Sequence, residues 1–418
     1  MQTHLADFIR NTPEGREADA ILRSCVHCGF CLATCPTYRL LGDELDSPRG
    51  RIYLIKQVLE GEPAGAATRL HLDRCLTCRS CETTCPSGVQ YGHLLDIGRS
   101  LVERGARRGR VERWQRALLR LVLPRAALFN PLLKLAQALR PFLPGGLRRA
   151  VPRRALPSSW PATQHARRML LLDGCVQPGL APNINAAAAR VLDRLGISLV
   201  RAPRAGCCGA LSYHLNAQEE GLDTMRRNID AWWPHIENGA EAVVATASGC
   251  GVTVKEYGHL LRFDPLYAEK AARVSAAARD ISEILAAEKD RLAGLLHSSP
   301  EGDKRDAKLA FHAPCTLQHG QKITGVAEEM LELAGFQLTE VPDAHLCCGS
   351  AGAYSMLQKG ISGQLRADRI AALESGGPAS IATANIGCLM HLRQGTQRPV
   401  RHWVELLDER LIPLPNRM

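Results

Sequence analysis

The sequence predicts a multidomain protein of the α plus α/β class, with a helical N-terminal domain, a helical connector and two tandem α/β domains with parallel sheets. Three observations lead to this fold class. Two short cysteine runs of identical spacing lie near the N-terminus, a strongly basic segment follows them, and the second half of the chain is an internal repeat. We place the domains at 1–98, 99–160, 161–300 and 301–418.

The two cysteine runs share the spacing C-x2-C-x2-C-x3-C-P. The first run contains Cys25, Cys28, Cys31 and Cys35, and the second contains Cys75, Cys78, Cys81 and Cys85. This is the bacterial two-cluster ferredoxin spacing, in which three cysteines of a run bind one [4Fe-4S] cluster and the fourth binds the other. The sequence therefore predicts a helical ferredoxin-type domain. We assign the first cluster to Cys25, Cys28, Cys31 and Cys85, and the second to Cys75, Cys78, Cys81 and Cys35.

Four-thiolate zinc sites and a disulfide framework are the alternatives for these runs. Zinc sites usually pair two CxxC knuckles across a longer loop, which fits two compact four-cysteine runs poorly. The chain has sixteen cysteines and shows no apolar leader, so we expect a cytoplasmic, reducing location where thiols bind metals. It contains no stretch of eighteen apolar residues, and any membrane contact should therefore be peripheral.

The segment after the second run is basic and amphipathic. Residues 99–154 contain fifteen Arg and Lys residues but only two Glu residues, whereas the whole chain carries a net charge of +10. Apolar clusters alternate with prolines, including Pro124 and Pro131, which predicts short amphipathic helices broken at these positions. Such helices can lie on an anionic membrane, dock an acidic partner, or pack as a solvated pair on their own domain. No recognition motif or aromatic platform accompanies the charge, so we expect no nucleic-acid binding.

The second half of the chain repeats itself with an offset of 140 residues. Cys175, Cys207 and Cys208 recur as Cys315, Cys347 and Cys348. Each repeat reads strand, helix, strand, helix, strand, and its third strand ends at Cys250 or Cys388. This order predicts parallel sheets with right-handed crossovers. Because the cysteines follow the carboxyl ends of strands, where open parallel sheets bind their ligands, we expect four thiols to converge in each repeat.

An iron-sulfur cluster, a zinc ion or a redox-active dithiol are the candidate occupants of each four-thiol site. The glycine directly after each cysteine doublet indicates a close backbone approach to a bound group, and packed free thiols are the alternative. The sequence shows no glycine-rich phosphate loop after a strand, so we expect flavin to bind elsewhere.

The two ferredoxin runs followed by two C…CCG…C domains resemble the iron-sulfur subunits of glycolate oxidase. The resemblance extends from about residue 20 to the end and includes SPRGRI at 47–52. It also relates the chain to iron-sulfur subunits of anaerobic glycerol-3-phosphate dehydrogenase, of L-lactate oxidation and of heterodisulfide reductase.

What the resemblance implies is an electron-transfer subunit with no catalytic residue of its own. Its partners would be FAD-binding glycolate oxidase subunits that oxidise glycolate, with D-lactate as an alternative substrate. Electrons would pass to a respiratory acceptor, for which we favour quinone, at the inner face of the cytoplasmic membrane. A disulfide- or quinone-reductase subunit and a metal-stabilised binding or sensor protein are the alternative functions.

One departure from the family pattern concerns the last cysteine of each repeat. In the fuller pattern it belongs to a CxxC pair, whose first position here is Ala247 or Asn385. The complete five-cysteine set of heterodisulfide-reductase relatives holds the cluster that reduces a disulfide, so we do not expect that activity here. Four thiols still suffice for one cubane or one zinc ion, and we favour iron.

Three histidines lie near the cysteines of the second repeat only. They are His312, His345 and His391, where the first repeat has Leu172, Ala205 and Thr253. This asymmetry predicts that the second site is specialised. Histidine could exchange the protons that quinone reduction requires, and structural hydrogen bonding is the alternative role.

Overall fold

The structure is a computed structural model that describes residues 1–145, 148, 151–297 and 308–411. The predicted connector and the two predicted α/β domains also include 146–147, 149–150, 298–307 and 412–418, which lie outside the described residues. Within the described residues, a helical N-terminal part precedes two four-stranded parallel sheets, and this confirms the predicted fold class.

The N-terminal domain is built from helices packed around both cysteine runs. The helices are α1 (Asp7–Arg10), α2 (Pro13–Ser24), α3 (Phe30–Ala33), α4 (Pro36–Leu41), α5 (Pro48–Leu59), α6 (Ala66–Asp73), α7 (Ser80–Thr83) and α8 (Tyr91–Gly105). Thr12 and Ser47 cap α2 and α5 by accepting backbone N–H groups. Helices α5 and α8 cross closely at Gly98, where a Cβ atom would lie 2.6 Å from the Ile55 side chain. A larger residue would therefore separate the two helices that form this core.

The connector forms two helices, α9 (Arg110–Val122) and α10 (Ala126–Leu139), followed by a 3-10 turn at Arg140–Phe142. Pro124 separates α9 from α10, as predicted. Pro131 does not end a helix, and that part of the prediction is wrong. It lies in the second turn of α10, where a proline removes a single backbone hydrogen bond that the rest of the helix tolerates.

The first α/β domain has a parallel sheet in the order β2-β1-β3-β4. Its strands are β1 (Arg167–Leu171), β2 (Ile197–Arg201), β3 (Val243–Ala245) and β4 (Ala278–Asp280). Its helices are α11 (Gln177–Leu180), α12 (Asn183–Arg194), α13 (Ala210–His214), α14 (Gln218–Glu237), α15 (Ser248–Lys255), α16 (Tyr257–Leu260), α17 (Ala268–Ala277), α18 (Ile281–Ala287) and α19 (Lys289–His297).

The second α/β domain repeats this order as β6-β5-β7-β8. Its strands are β5 (Lys308–His312), β6 (Gln337–Leu338), β7 (Ser380–Thr383) and β8 (Val400–His402). A π-helix (Thr316–Gly320) follows Cys315, and the α-helices are α20 (Val326–Leu333), α21 (Tyr354–Leu357), α22 (Lys359–Glu374), α23 (Ile386–Leu392) and α24 (Trp403–Leu411).

Each sheet has four strands where three were predicted. The additional strands, β4 and β8, have three residues each and lie at the sheet edges. Both continue without a turn into a helix, β4 into α18 at Ile281 and β8 into α24 at Trp403, so no break in the sequence separates strand from helix there.

The two α/β domains share one hydrophobic core and meet at the carboxyl ends of β3 and β7. The Ser248 amide donates to the Ala384 carbonyl at 3.2 Å, and the hydroxyls of Ser248 and Thr316 lie 2.8 Å apart. Nε2 of the buried His402 lies 2.8 Å from the Thr246 carbonyl oxygen. These contacts place the two cysteine-bearing sheet edges next to each other. No helix among the described residues has the length and apolar character needed to cross a bilayer.

Candidate metal centres

The four cysteines assigned to the first cluster lie around one cavity. Cys25, Cys28, Cys31 and Cys85 line it, and Cys81 of the second run borders it. Burial raises the pKa of Cys25, and the charges of Cys85 and Cys28 raise it further. The fourth cysteine of the second run is therefore a direct neighbour of the first run, as the ferredoxin pattern requires.

The second set is more deeply buried. Burial raises the pKa values of the Cys78 and Cys81 thiols well above their ordinary value. The charges of Cys75 and Cys35 contribute to this rise in both cases. Cys35 thus lies with the second run, although it belongs to the first.

The backbone of both runs adopts the same unusual conformation. His27 and Gly29 in the first run, and Thr77 and Arg79 in the second, have φ values between 54° and 86°. This left-handed region is unfavourable for residues other than glycine by about 1–2 kcal/mol. It turns backbone N–H groups towards sulfur, since the Thr77 amide lies 3.4 Å from Cys75 Sγ. Such N–H groups can hydrogen-bond cluster sulfur.

Two buried arginines supply positive charge beside these cysteines. Arg51, only 1% exposed, pairs with the fully buried Asp46, and its Nη1 lies 4.0 Å from Cys35 Sγ. Burial alone would lower the pKa of Arg51, but the charges of Cys75, Tyr91, Cys35 and Asp46 raise it. Arg99 donates to the carbonyl oxygens of Leu72 and Cys75. Both cations offset negative charge from thiolates and a bound cluster.

The four cysteines of the first repeat also come together. Hydrogen bonds link Cys175 to Cys207, Cys207 to Cys208, and Cys208 to Cys250. The bonds from Cys175 and Cys208 lower the pKa of Cys207 well below its ordinary value. This lowering favours the thiolate form of Cys207, which is the form of cysteine that binds metals.

The second repeat forms the same chain of sulfur contacts. Hydrogen bonds link Cys315 to Cys347, Cys347 to Cys348, and Cys348 to Cys388. All four residues are buried. All sixteen cysteines lie within the described residues, and none forms a disulfide there. The predicted convergence of thiols at each sheet edge is thus present in the geometry, while their ligand roles stay a prediction.

The residues at the missing fifth positions differ between the repeats. Ala247 is buried and has no ligand atom, whereas Asn385 Nδ2 donates to Cys388 Sγ at 3.5 Å. A ring nitrogen of His312 lies within 4.8 Å of the sulfurs of Cys348 and Cys388. The second site therefore has polar neighbours that the first site lacks.

The other two predicted histidines have other contacts. His391 Nε2 lies 3.3 Å from the Ser362 hydroxyl, and burial lowers its pKa to about 4. The carbonyl of His345 accepts a hydrogen bond from the ring of His319, whose other nitrogen contacts Thr83. Sequence reasoning missed His319 and also Arg369, which lies beside the second cysteine site. Neither belongs to a cysteine motif, and only an alignment of the two repeats would have drawn attention to Arg369.

The second ferredoxin set and the second cysteine-rich site are neighbours. Cys78 packs against an apolar cluster that contains Cys315 and Cys347 together with Leu76 and Tyr354. After burial, the charge of Cys315 is the largest cause that raises the pKa of Cys78. The first cysteine-rich domain meets the ferredoxin-type domain through polar groups instead, including an ion pair between Arg79 and Glu256.

Comparison with known protein families agrees with this architecture. Residues 21–89 match the model of the 4Fe-4S dicluster domain, and residues 169–255 and 309–393 match the cysteine-rich domain. The fold and the sites therefore define an iron-sulfur protein with a dicluster ferredoxin-type domain and two cysteine-rich domains.

Relatives that match over nearly the full length of the chain identify its family more specifically. The glycolate oxidase iron-sulfur subunit of Escherichia coli is 57% identical over 412 residues, which cover 98% of this chain and 99% of that protein. A probable glycolate oxidase iron-sulfur subunit of Bacillus subtilis is 30% identical over 93% of this chain and 92% of its own length. Lactate utilization protein A of Bacillus licheniformis is 27% identical over 56% of this chain. The chain belongs to the family of glycolate oxidase iron-sulfur subunits.

Proposed function

We propose that this chain is the electron-transfer subunit of a flavin-dependent glycolate dehydrogenase. The observation that carries the proposal is the interleaving of the two cysteine runs, which places Cys85 with the first run and Cys35 with the second. This arrangement provides two adjacent four-cysteine sets. The similarity to a glycolate oxidase iron-sulfur subunit over nearly the full length of both chains supports glycolate as the substrate of the complex, with D-lactate as the alternative.

The ligands in this proposal are the eight ferredoxin-type cysteines. Cys25, Cys28, Cys31 and Cys85 would hold the first [4Fe-4S] cluster, and Cys75, Cys78, Cys81 and Cys35 the second. The buried arginines and left-handed turns described above fit clusters of net negative charge. When bound, the clusters accept and release single electrons. Oxidation of glycolate to glyoxylate releases two electrons and two protons, so flavin on the partner subunits would take both electrons and pass them on singly.

The first set is placed for electron entry. Cys28 is exposed, and the large side chains beside it, Val26 and Phe30, are 68% and 61% exposed. An apolar rim around a cysteine ligand suits the docking of a flavin subunit, because docking would exclude water between the redox groups. The second set is buried beside Cys315 and Cys347, so electrons would leave through the cysteine-rich half of the chain.

The connector is placed for contact with a membrane. On α9, Val111, Trp114, Leu118 and Leu121 recur at helical spacing and are 49–77% exposed. On α10, Leu128, Leu132, Leu135 and Leu139 form a second exposed row. Exposed cations that include Arg110, Arg113, Arg125 and Lys134 flank these rows. We favour an anionic bilayer over an acidic protein, because two apolar rows rimmed by cations are typical of interfacial helices. This would hold the subunit at the inner membrane face, close to quinone.

Replacement of a second-set ligand tests the electron-transfer proposal. In a complex with its flavin partners, Cys81→Ser should abolish reduction of a quinone analogue while glycolate still bleaches the flavin. Ser100→Ala, on α8 of the same domain, serves as the control and should reduce the acceptor at the normal rate. Normal acceptor reduction by Cys81→Ser would rule out the proposed role of the second cluster.

A further inference from the structure

A buried histidine-arginine pair lies beside the second cysteine-rich site. His312 ends β5 and is completely buried, and one of its ring nitrogens is within 4.8 Å of Cys348 Sγ and Cys388 Sγ. Arg369 on α22 is 3% exposed and donates from Nε to His312 Nδ1 at 3.2 Å. The arginine is held in place because it also donates to the carbonyl oxygens of Pro342 and Asp343.

The arginine determines which ring nitrogen of His312 carries the proton. Arginine is only a donor, so Nδ1 must accept with its lone pair. A ring whose Nδ1 accepts a hydrogen bond has at most one proton, so the His312 ring is neutral. The single ring proton therefore lies on Nε2. Nε2 is buried and has no hydrogen-bond partner among the described residues. A buried N–H donor of this kind requires an acceptor.

The first cysteine-rich site lacks this pair. At the offset of the repeat, Leu172 takes the place of His312. On the helix after the cysteine doublet, the first domain has Asn228, whose side chain binds the backbone of Gly206 and Cys207. Both helices thus hold the loop around the doublet by backbone contacts. The cation that the first helix brings near Cys207, Arg227, is exposed, whereas Arg369 of the second helix is buried against a histidine. Arg369 lies near enough to Cys315, Cys348 and Cys347 for the charges of these cysteines to act on it.

We propose that His312, oriented by Arg369, donates a hydrogen bond from Nε2 to a sulfur atom of an iron-sulfur centre at the second cysteine-rich site. The cysteines that would hold this centre are Cys315, Cys347, Cys348 and Cys388. A donor and a nearby cation stabilise the more negative, reduced form of a centre, so the pair raises its reduction potential. His312 is then a positioning and tuning residue rather than a ligand.

This inference rests on the proposed function, because the centre at the second cysteine-rich site would accept electrons from the second ferredoxin-type cluster, which includes the neighbouring Cys78. Each transfer would move one electron, which oxidises the ferredoxin cluster and reduces the second-site centre without breaking a bond. A raised potential at the second site makes the transfer favourable in this direction. The first site has Leu172 at the position of His312 and therefore lacks this donor.

The test is a redox titration of the full chain, purified without oxygen. Electron paramagnetic resonance detects the signal of each centre during the titration. His312→Leu copies the residue of the first repeat, His312→Gln keeps a donor, and His345→Leu is a control histidine near the same cysteines. We expect His312→Leu to retain its iron and sulfide while one signal shifts to a lower potential. His312→Gln should restore most of the shift, and His345→Leu should have the wild-type potential. Cys388→Ser should remove the same signal and spare the ferredoxin signals.

Three results would overturn the inference. They are an unchanged potential in His312→Leu, a loss of iron in His312→Leu as large as in Cys388→Ser, and a wild-type chain that holds iron only at the ferredoxin-type sites. In each case, ferredoxin signals that are still reduced by the flavin partners would leave the proposed function standing. Absence of those signals from the wild-type chain would instead contradict the proposed function itself.

Discussion

The hydroxyl of Tyr354 donates a 3.0 Å hydrogen bond to the backbone carbonyl of Arg74, the residue before Cys75. This bond joins the second cysteine-rich domain to the second ferredoxin run. The ring of Tyr354 lies in the same apolar cluster as Cys315 and Cys347, with Cys78 at its edge. Tyr354 therefore links the two sites in two ways, through the hydrogen bond of its hydroxyl and through the packing of its ring.

Substitution of Tyr354 separates these two contributions. Tyr354→Phe removes only the hydrogen bond and should reduce stability by about 1 kcal/mol. Tyr354→Ala also removes the ring and should cost roughly 3–5 kcal/mol through loss of packing. The melting temperature of the anaerobic chain measures both effects, and the order wild type, Phe, Ala is expected. Equal melting temperatures for the Phe and Ala variants would mean that the ring does not pack between the sites.

Arg51 is expected to be essential for the second ferredoxin set. It forms a buried pair with Asp46 and approaches Cys35 Sγ. Arg51→Met removes this partner. Although Asp46 keeps its 2.7 Å ion pair with Arg74, the buried carbonyl of His71 loses its donor, so we expect a loss of stability of roughly 1–3 kcal/mol. We expect a marked fall in the melting temperature and in the iron content.

The control for Arg51 is Arg23→Met. Arg23 pairs with Asp19, but its side chain is 60% exposed, and exposed pairs contribute only about 0–1 kcal/mol. This variant should retain the wild-type melting temperature and iron content. If Arg51→Met behaved in the same way, the buried cation would not be needed at the cluster site.

A histidine network makes the docking of the first cysteine-rich domain dependent on pH. His93 of α8 stacks on His259 at 3.9 Å between ring centroids. The charged groups facing the pair are Glu17 on α2, Glu256 at the end of α15, and Arg79 and Arg262, which pair with these carboxylates. Burial alone would lower the pKa of His93, but the carboxylates of Glu17 and Glu256, which lie 3.4 Å and 3.7 Å from its ring nitrogens, raise it to about 9.

The direction of the pH effect follows from the raised pKa of His93. Its stabilising contribution is complete below about pH 6.5, the ordinary value for histidine, and is lost as the pH rises through about 9. A shift of this size corresponds to roughly 3 kcal/mol. The melting temperature of the wild type should fall between pH 6.5 and 9.5 by more than that of His93→Gln. Parallel curves for the two proteins would show that His93 is not protonated in the folded state.

The sequence predicted the convergence of the thiols but not their surroundings. In a parallel sheet all strands end at the same edge, so Cys175 and Cys250 had to meet once the strand order was recognised. His312 was visible as an asymmetry between the repeats. The role of Arg369 was not, because it depends on how α22 packs against β5. Helical periodicity likewise predicted that the connector is amphipathic, but only the tertiary structure shows that its apolar rows remain uncovered.

Those uncovered rows give the last prediction. The double variant Trp114→Glu and Leu118→Glu places two carboxylates in the exposed row of α9 and should abolish binding to vesicles that contain anionic phospholipid. Sedimentation of the chain with such vesicles measures the effect, and wild-type binding should weaken with added salt, because screening reduces the attraction between exposed cations and the bilayer. Leu266→Glu is the matched control, since Leu266 is 78% exposed but lies outside the connector. If the double variant sedimented like the wild type but no longer bound the flavin subunits, the apolar rows would be a docking surface for protein, and attachment of this chain to the membrane would have to come from another part of the complex.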